Sequence, residues 1–95
     1  MNKYESVYVI NASIGDEAIN GKVAKFNELI ATNGGNVTKV DEWGKRRLAY
    51  PIDYVTEGYY VLINFEGDSE LPKELERNFR IDESVIRFVV IRVDE

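Results

Sequence analysis

The chain has 95 residues and is acidic, with 17 Asp and Glu against 12 Lys and Arg and a formal net charge of −5. This length predicts one domain, residues 1–95, with a small hydrophobic core. The absence of cysteine and histidine excludes disulfides and thiolate zinc sites and removes the commonest general base and metal ligand.

The N-terminus shows no signal-peptide pattern, and no apolar run approaches the roughly 20 residues that span a bilayer. We therefore expect a cytoplasmic protein. There is also no Gly-rich phosphate loop, and the adjacent carboxylates at Asp41-Glu42 would point to opposite faces of a strand. The sequence thus predicts no catalytic residue, no metal, no small-molecule substrate and no cofactor, so the protein is not expected to be an enzyme.

The first half of the chain predicts a strand, a helix and a second strand. Residues 4–10, "YESVYVI", are rich in β-branched and aromatic residues and predict the first strand. The stretch "NASIGDEAIN" opens a helix, which Gly34 and Gly35 end. Residues 36–52 form a long extended stretch, and Gly44 within it predicts a bulge or bend. The helix carries one apolar stripe, consisting of Ile19, Val23, Phe26 and Ile30.

The second half repeats this order. Residues 53–58, "DYVTEG", predict a turn, and residues 59–65 predict a strand. Asp68 or Ser69 caps a second helix. Residues 84–93, "SVIRFVVIRV", form the last strand. The second helix also has one apolar stripe, consisting of Leu71, Leu75 and Phe79.

Two β-α-β units whose helices are each apolar on one side predict an α+β fold. The expected architecture is a four-stranded antiparallel sheet with two helices on one face, the ferredoxin-like split β-α-β fold (βαββαβ). Such a fold leaves the other sheet face bare.

Strand alternation divides the side chains between the two sheet faces. The face toward the helices is predicted to hold Tyr8, Ile10, Val61, Ile63, Phe65, Phe88 and Val90. The bare face is predicted to hold Val7, Val9, Tyr60, Leu62, Val89 and Ile91, with Asn64 and Arg87 among them. The swapped assignment would instead expose Tyr8, Tyr59, Val61 and Phe88. Either assignment leaves a contiguous apolar surface, which predicts a protein partner.

The stretch "WGKRRLAYPI" carries three adjacent cations in an acidic chain. On a strand, Lys45 and Arg47 share one face, while Arg46 shares the other with Leu48 and Tyr50. An edge strand protected against aggregation would explain the cations alone. Their aromatic neighbours favour RNA, because guanidinium groups pair with phosphates and stack on bases.

A second group of cations lies on the second predicted helix. Lys73, Arg77 and Arg80 fall on one outer face, and glutamates are interleaved with them. This spacing predicts a solvated face with local ion pairs.

The stretch "GKRRLAYPI" resembles the signature of the bacterial small-subunit ribosomal protein six family. The stretches "YESVYVIN", "EGYYV" and "LERNFRIDESVIRFVV" extend the resemblance over essentially the whole chain. The resemblance implies the fold given above and a structural role in the small (30S) ribosomal subunit. It also implies binding to the central domain of small-subunit ribosomal RNA together with small-subunit ribosomal protein eighteen, which would supply the partner for the apolar face.

The resemblance implies a set of residues that bind RNA or the protein partner, without dividing them between the two. The signature contributes Lys45, Arg46, Arg47 and Tyr50, and matching strand ends contribute Lys3, Arg87 and Arg92. The alternative from another class is a ferredoxin-like regulatory or dimerisation module that uses its open sheet face. Such a module would not need the three adjacent cations.

Overall fold

Within residues 2–52 and 55–93, which the computed structural model describes apart from the side chain of Ile52, the order of the elements is βαββαβ. The elements are β1 (Asn2–Asn11), α1 (Asp16–Thr32), β2 (Asn36–Ile52), β3 (Val55–Gly67), α2 (Leu71–Ile81) and β4 (Val85–Arg92), with a short 3-10 helix at Ala12–Ile14. In this part of the chain, neither helix combines the length and the apolar character that a membrane crossing requires.

The strands form one four-stranded sheet in the order β2-β3-β1-β4, and all neighbouring strands are antiparallel. Both helices pack on the same face, because their apolar stripes join one face of β1 and β3 in a single core. This is the predicted ferredoxin-like α+β architecture, which is therefore confirmed.

Aromatic rings join both helices to the central strand β1. The ring of Tyr8 lies 5.2 Å from that of Phe26 and 4.9 Å from that of Phe79, and these two rings are 4.8 Å apart. Phe88 and Val90 of β4 pack against the same core. The first assignment of the sheet faces is therefore confirmed, and the swapped assignment is wrong.

The start of α2 and the end of α1 use the predicted residues. The Asp68 side-chain Oδ1 accepts hydrogen bonds from the backbone N–H groups of Glu70, at 3.0 Å, and Leu71, at 3.2 Å. These bonds satisfy donors that the first turn of α2 leaves open. At the end of α1, Gly34 has a φ of 81°, which glycine adopts without steric cost.

The long β2 strand is interrupted where predicted. The pairing of β2 with β3 shifts register between Glu42 and Gly44, and Gly44 has a φ of 86°. A glycine with positive φ at a register shift is the geometry of a β-bulge. The predicted irregularity at Gly44 is therefore confirmed.

The predicted turn at residues 53–58 is wrong from Val55 onward. Asp53 and Tyr54 lie outside the described residues, but β3 already begins at Val55. Gly58 pairs with Arg46 across the hairpin, whereas β1 pairing with β3 ends at that same Gly58. The β2-β3 hairpin therefore extends past the end of β1. We call this extension, residues 45–52 and 55–58, the arm.

Candidate functional site

The sheet face opposite the helices, which we call the open face, has an apolar centre. Leu62 of β3, Val7 of β1 and Val89 of β4 lie directly opposite one another in one cross-strand row. Val89 is 50% exposed, and the neighbouring Ile91 is 48% exposed. These side chains form a contiguous apolar patch that nothing in the described chain covers, so it is suited to a protein partner.

An aromatic pair, formed by Trp43 of β2 and Tyr60 of β3, borders this patch. The rings of Trp43 and Tyr60 are stacked, with centroids 6.2 Å apart and planes at 17°. The indole Nε1 of Trp43 donates a hydrogen bond of 3.2 Å to Asp41 Oδ2. The sequence placed Tyr60 on the open face but did not predict its stacking with Trp43. Gly44 was the feature of the sequence that could have indicated this stacking. A bulge there sets two successive residues of β2 opposite one residue of β3.

Val9 lies on the open face as predicted, but it is covered. Only 3% of Val9 is exposed. A Cβ placed on Gly58 would overlap Val9 Cγ1 and would lie 3.4 Å from Leu48 Cδ2, so Val9 and Leu48 fill the space above that glycine. The base of the arm therefore closes the end of the open face, and a partner would meet the other five apolar residues predicted for it.

The three adjacent cations of the arm separate by strand alternation. Lys45 pairs with Tyr59 on the helix side, and its Nζ lies 3.0 Å from Asp16 Oδ1. This hydrogen bond and the charge of Asp16 raise the pKa of Lys45. Arg46 lies opposite Gly58 and therefore on the open-face side.

The two arginines of the arm are both exposed. Arg47 lies opposite Glu57 in the register of β2 and β3. Neither Arg46 nor Arg47 makes an ion pair or side-chain hydrogen bond with any residue that the structure describes. Their guanidinium groups are therefore available to an external anion.

Tyr50 of the arm contacts Arg87 of β4. The guanidinium carbon of Arg87 lies 5.9 Å from the ring centroid, and Nη2 donates a long hydrogen bond of 3.5 Å to the Tyr50 hydroxyl. β2 and β4 are opposite edges of the sheet. The arm therefore bends across the end of the open face, and it brings two predicted binding residues together. Tyr50 remains 63% exposed in this position.

Lys3 and Arg92 lie at the other end of the sheet. The backbone N–H of Val93 donates to Lys3 O at 2.9 Å, and Arg92 pairs with Tyr4. Lys3 is on the open-face side, whereas Arg92 shares the helix side with the buried Tyr4. Val9 lies six residues further along β1 than Lys3, a distance of about 20 Å. The structure therefore does not bring the seven predicted RNA-binding or partner-binding residues into one patch.

The helix side of the sheet carries polar groups of its own. The Tyr59 hydroxyl donates a 2.7 Å hydrogen bond to Glu42 Oε1, and this bond raises the pKa of Tyr59 to about 12. Burial raises the pKa of Tyr8, whose hydroxyl has no hydrogen-bond partner among the described residues.

A buried carboxylate joins the two helices at the start of β4. Asp82 Oδ1 accepts hydrogen bonds from Ser84 Oγ, at 2.6 Å, and Ser84 N, at 3.0 Å, and Lys22 Nζ lies 3.0 Å from Oδ2. Burial disfavours the charged form, but the Ser84 hydrogen bonds and Lys22 outweigh it and lower the pKa of Asp82. The groups around Asp82 are therefore engaged internally. In the described part of the chain, no three carboxylates come together in a way that could hold a metal ion.

The cations of α2 are all paired, as the sequence predicted. The pairs are Lys73 with Glu70 at 3.1 Å, Arg77 with Glu74 at 2.8 Å and Arg80 with Glu76 at 3.9 Å. Since each lies on an exposed helix face, these pairs neutralise the cations locally and leave little charge for a polyanion.

The fold and the site define a class: a ferredoxin-like protein with an apolar open face and, beside it, an arm whose two arginines have no partner among the described residues. The comparisons with known proteins define the family. A family model described as Ribosomal protein S6 matches residues 3–92. The chain is 53% identical to the small ribosomal subunit protein bS6 of Clostridium acetobutylicum and 47% identical to that of Thermoanaerobacter pseudethanolicus, in both cases over 100% of both chains.

The solved structures agree with this match. The crystal structure of 30S ribosomal protein S6 from Thermotoga maritima is 30% identical, with a TM-score of 0.91, and the match covers 97% of this chain and 87% of that chain. The chain belongs to the ribosomal protein S6 family. The resemblance found in the sequence is therefore confirmed.

Proposed function

We propose that the chain is a structural constituent of the small (30S) ribosomal subunit in the cytoplasm. In this proposal it binds the central domain of small-subunit ribosomal RNA together with small-subunit ribosomal protein eighteen. The observation that carries the proposal is the pair Arg46 and Arg47, which stand on the arm beside the apolar open face and have no partner among the described residues. The membership of the chain in the S6 family supports it.

The open face is the proposed binding surface for protein eighteen. Its exposed centre, around Val89 and Ile91, offers apolar area whose removal from water favours association. The net charge of −5 opposes an approach to RNA by this chain alone, and a basic partner would offset it.

The arm is the proposed RNA contact. Arg46 and Arg47 can pair with phosphates in the two-pronged geometry that guanidinium allows, and the exposed ring of Tyr50 can stack on a base. Few cations are involved, so the chain alone would neutralise few phosphates. Its affinity for RNA should therefore be low, and its salt dependence should be shallow.

A binding experiment tests this division of roles. The cognate central-domain RNA is titrated with the chain alone, with protein eighteen alone and with both, at several salt concentrations. The proposal expects the RNA to bind the pair at least about tenfold more tightly than either protein alone. Tight binding by the chain without its partner would contradict it. Self-association of the chain without any binding to protein eighteen would favour the dimerisation module instead.

A further inference from the structure

Lys45 differs from the two arginines that follow it, because it is tied to the first turn of α1. Its Nζ lies 3.0 Å from Asp16 Oδ1. Lys45 comes directly after Gly44, whose φ of 86° marks the bulge at the base of the arm. The ion pair therefore joins the arm to the helix layer at the point where the strand changes direction.

The surroundings of Lys45 do not suit a phosphate. Asp16 already compensates its charge, and Glu57 also contributes a negative field at the ammonium group. A phosphate at Lys45 would have to displace or approach the Asp16 carboxylate, which repels it. Lys45 shares the helix side of β2 with Arg47, but of these two only Lys45 forms an ion pair with a described residue.

We propose that Lys45 is a positioning residue, which acts through Asp16 and does not itself contact RNA. This inference rests on the proposed function, since the arm must bind RNA for its orientation to matter. Glycine gives the backbone freedom at the bulge. The Lys45–Asp16 pair restricts that freedom and holds the arm in the orientation that aims Arg46 along the open face. Without the pair, the arm would have to be ordered on binding, and affinity would fall.

The expected effect is small because the pair is partly solvated, with 46% of the Lys45 side chain and 78% of the Asp16 side chain exposed. Exposed ion pairs of this kind correspond to a change of roughly two- to fivefold in an equilibrium constant. The property that distinguishes a positioning role is that both members of the ion pair contribute equally. Removing either partner should have the same effect, although the two substitutions change the net charge in opposite directions.

The test uses the full chain, protein eighteen and the central-domain RNA. We expect Lys45→Ala and Asp16→Asn each to weaken RNA binding roughly two- to fivefold, and to leave the slope of log K against log salt unchanged. The exchanged pair Lys45→Asp/Asp16→Lys should restore most of the affinity. Arg46→Ala is the matched phosphate-contact control, and it should reduce the slope by about 1.

A measurement on the free protein makes the inference independent of RNA. Amide hydrogen exchange in residues 45–52 should be faster in both single variants than in the wild-type chain. The double variant Lys45→Asp/Asp16→Lys should return to the wild-type exchange rate, and the exchange rate in α2 should be the same in all variants. Unchanged exchange in residues 45–52 would overturn the inference even if the wild-type chain binds RNA as proposed.

The binding data also separate the inference from the proposed function. A lower salt slope for Lys45→Ala, with unchanged or tighter binding by Asp16→Asn, would show that Lys45 is a phosphate contact and would overturn the inference alone. A wild-type chain that does not bind the RNA with protein eighteen would overturn the proposed function.

Discussion

The two faces of the sheet carry similar side chains and differ in what covers them. On the helix side, Val61 and Ile63 are fully buried under α1 and α2. On the open face, Val89 is 50% exposed and Ile91 is 48% exposed. Valine and isoleucine therefore stabilise the fold on one face and remain available on the other. The comparison teaches that apolar content does not locate a binding surface until the covering layer is known.

The charged residues give the same lesson. Both α2 and the arm contain three cations close together in sequence. On α2 every one has a glutamate within 4.0 Å, whereas Arg46 and Arg47 of the arm have no partner among the described residues. A binding site is thus marked by groups left without an internal partner, and five experiments can break or sharpen this contrast.

The largest expected effect comes from placing a carboxylate on each face. Val61→Asp should reduce the free energy of unfolding by about 4 kcal/mol or more, because the charge has no partner in the core. Val89→Asp should cost only about 1 kcal/mol, yet weaken pairing with protein eighteen about a hundredfold, since the carboxylate must be desolvated in an apolar interface. Chemical denaturation and a pull-down with protein eighteen measure the two effects.

The control for this experiment is Leu62→Asp, which lies in the same cross-strand row as Val89. It should also fold and fail to pair. If the open-face variants unfold as Val61→Asp does, or if they pair normally, the contrast between the two faces is lost.

Asp82 shows that the covered side accepts a charge when that charge is paired. Asp82→Asn should lower the free energy of unfolding at neutral pH by about 1.5–3 kcal/mol, because it loses charged hydrogen bonds to Ser84 and the contact with Lys22. The folded state lowers the pKa of Asp82, so its stabilisation is present above the unfolded-state pKa of about 4.

That stabilisation is lost as the pH falls from about 4 through the lowered pKa of the folded state. The difference in stability between the wild-type chain and Asp82→Asn should therefore shrink in this range, as measured by denaturation at a series of pH values. A difference that stays constant down to the lowest pH would contradict an ionised, paired Asp82.

Gly58 lies at the boundary between the covered and open regions. Gly58→Ala should destabilise the fold by about 1–3 kcal/mol, since the added methyl group would overlap Val9 Cγ1. Gly21 provides the matched control, because a Cβ there meets nothing within 4 Å. Thermal denaturation should show the loss for Gly58→Ala and none for Gly21→Ala, and equal stability of the two would contradict the packing of Val9 at the arm.

The smallest effect is expected at Tyr8, whose buried hydroxyl has no partner among the described residues. Tyr8→Phe keeps the ring contacts with Phe26 and Phe79 and removes an unpaired polar group. Its free energy of unfolding should stay the same or rise by about 1 kcal/mol. A loss larger than about 1 kcal/mol in chemical denaturation would show that the hydroxyl is hydrogen-bonded.

The sequence predicted the fold well because alternation and helical spacing are local properties. The stripes of α1 and α2, the faces of β1, β3 and β4 and the bulge at Gly44 all follow from neighbours in the chain. The turn at residues 53–58 was wrong from Val55 onward because Gly58 resembles a turn residue. It is a strand residue whose lack of a side chain makes room for Val9.

The site was less predictable because its contacts join distant segments. Nothing local to Lys45 indicates Asp16, and nothing local to Tyr50 indicates Arg87. The cover over Val9 likewise depends on the path of the arm. Lys3 and Arg92 were grouped with the arm residues on resemblance, whereas the register places them at the far end of the sheet.

The most direct measurement is the incorporation of matched double variants into small ribosomal subunits. Arg46→Ala/Arg47→Ala removes two cations from the arm, and Lys73→Ala/Arg77→Ala removes two from α2, so the net charge of the chain changes equally. Both should fold, because exposed cations contribute little to stability. We expect incorporation to fall markedly only for the arm variant, with Arg46→Lys/Arg47→Lys in between. Normal incorporation of the arm variant with poor solubility, or equal loss in both double Ala variants, would contradict a binding role for Arg46 and Arg47.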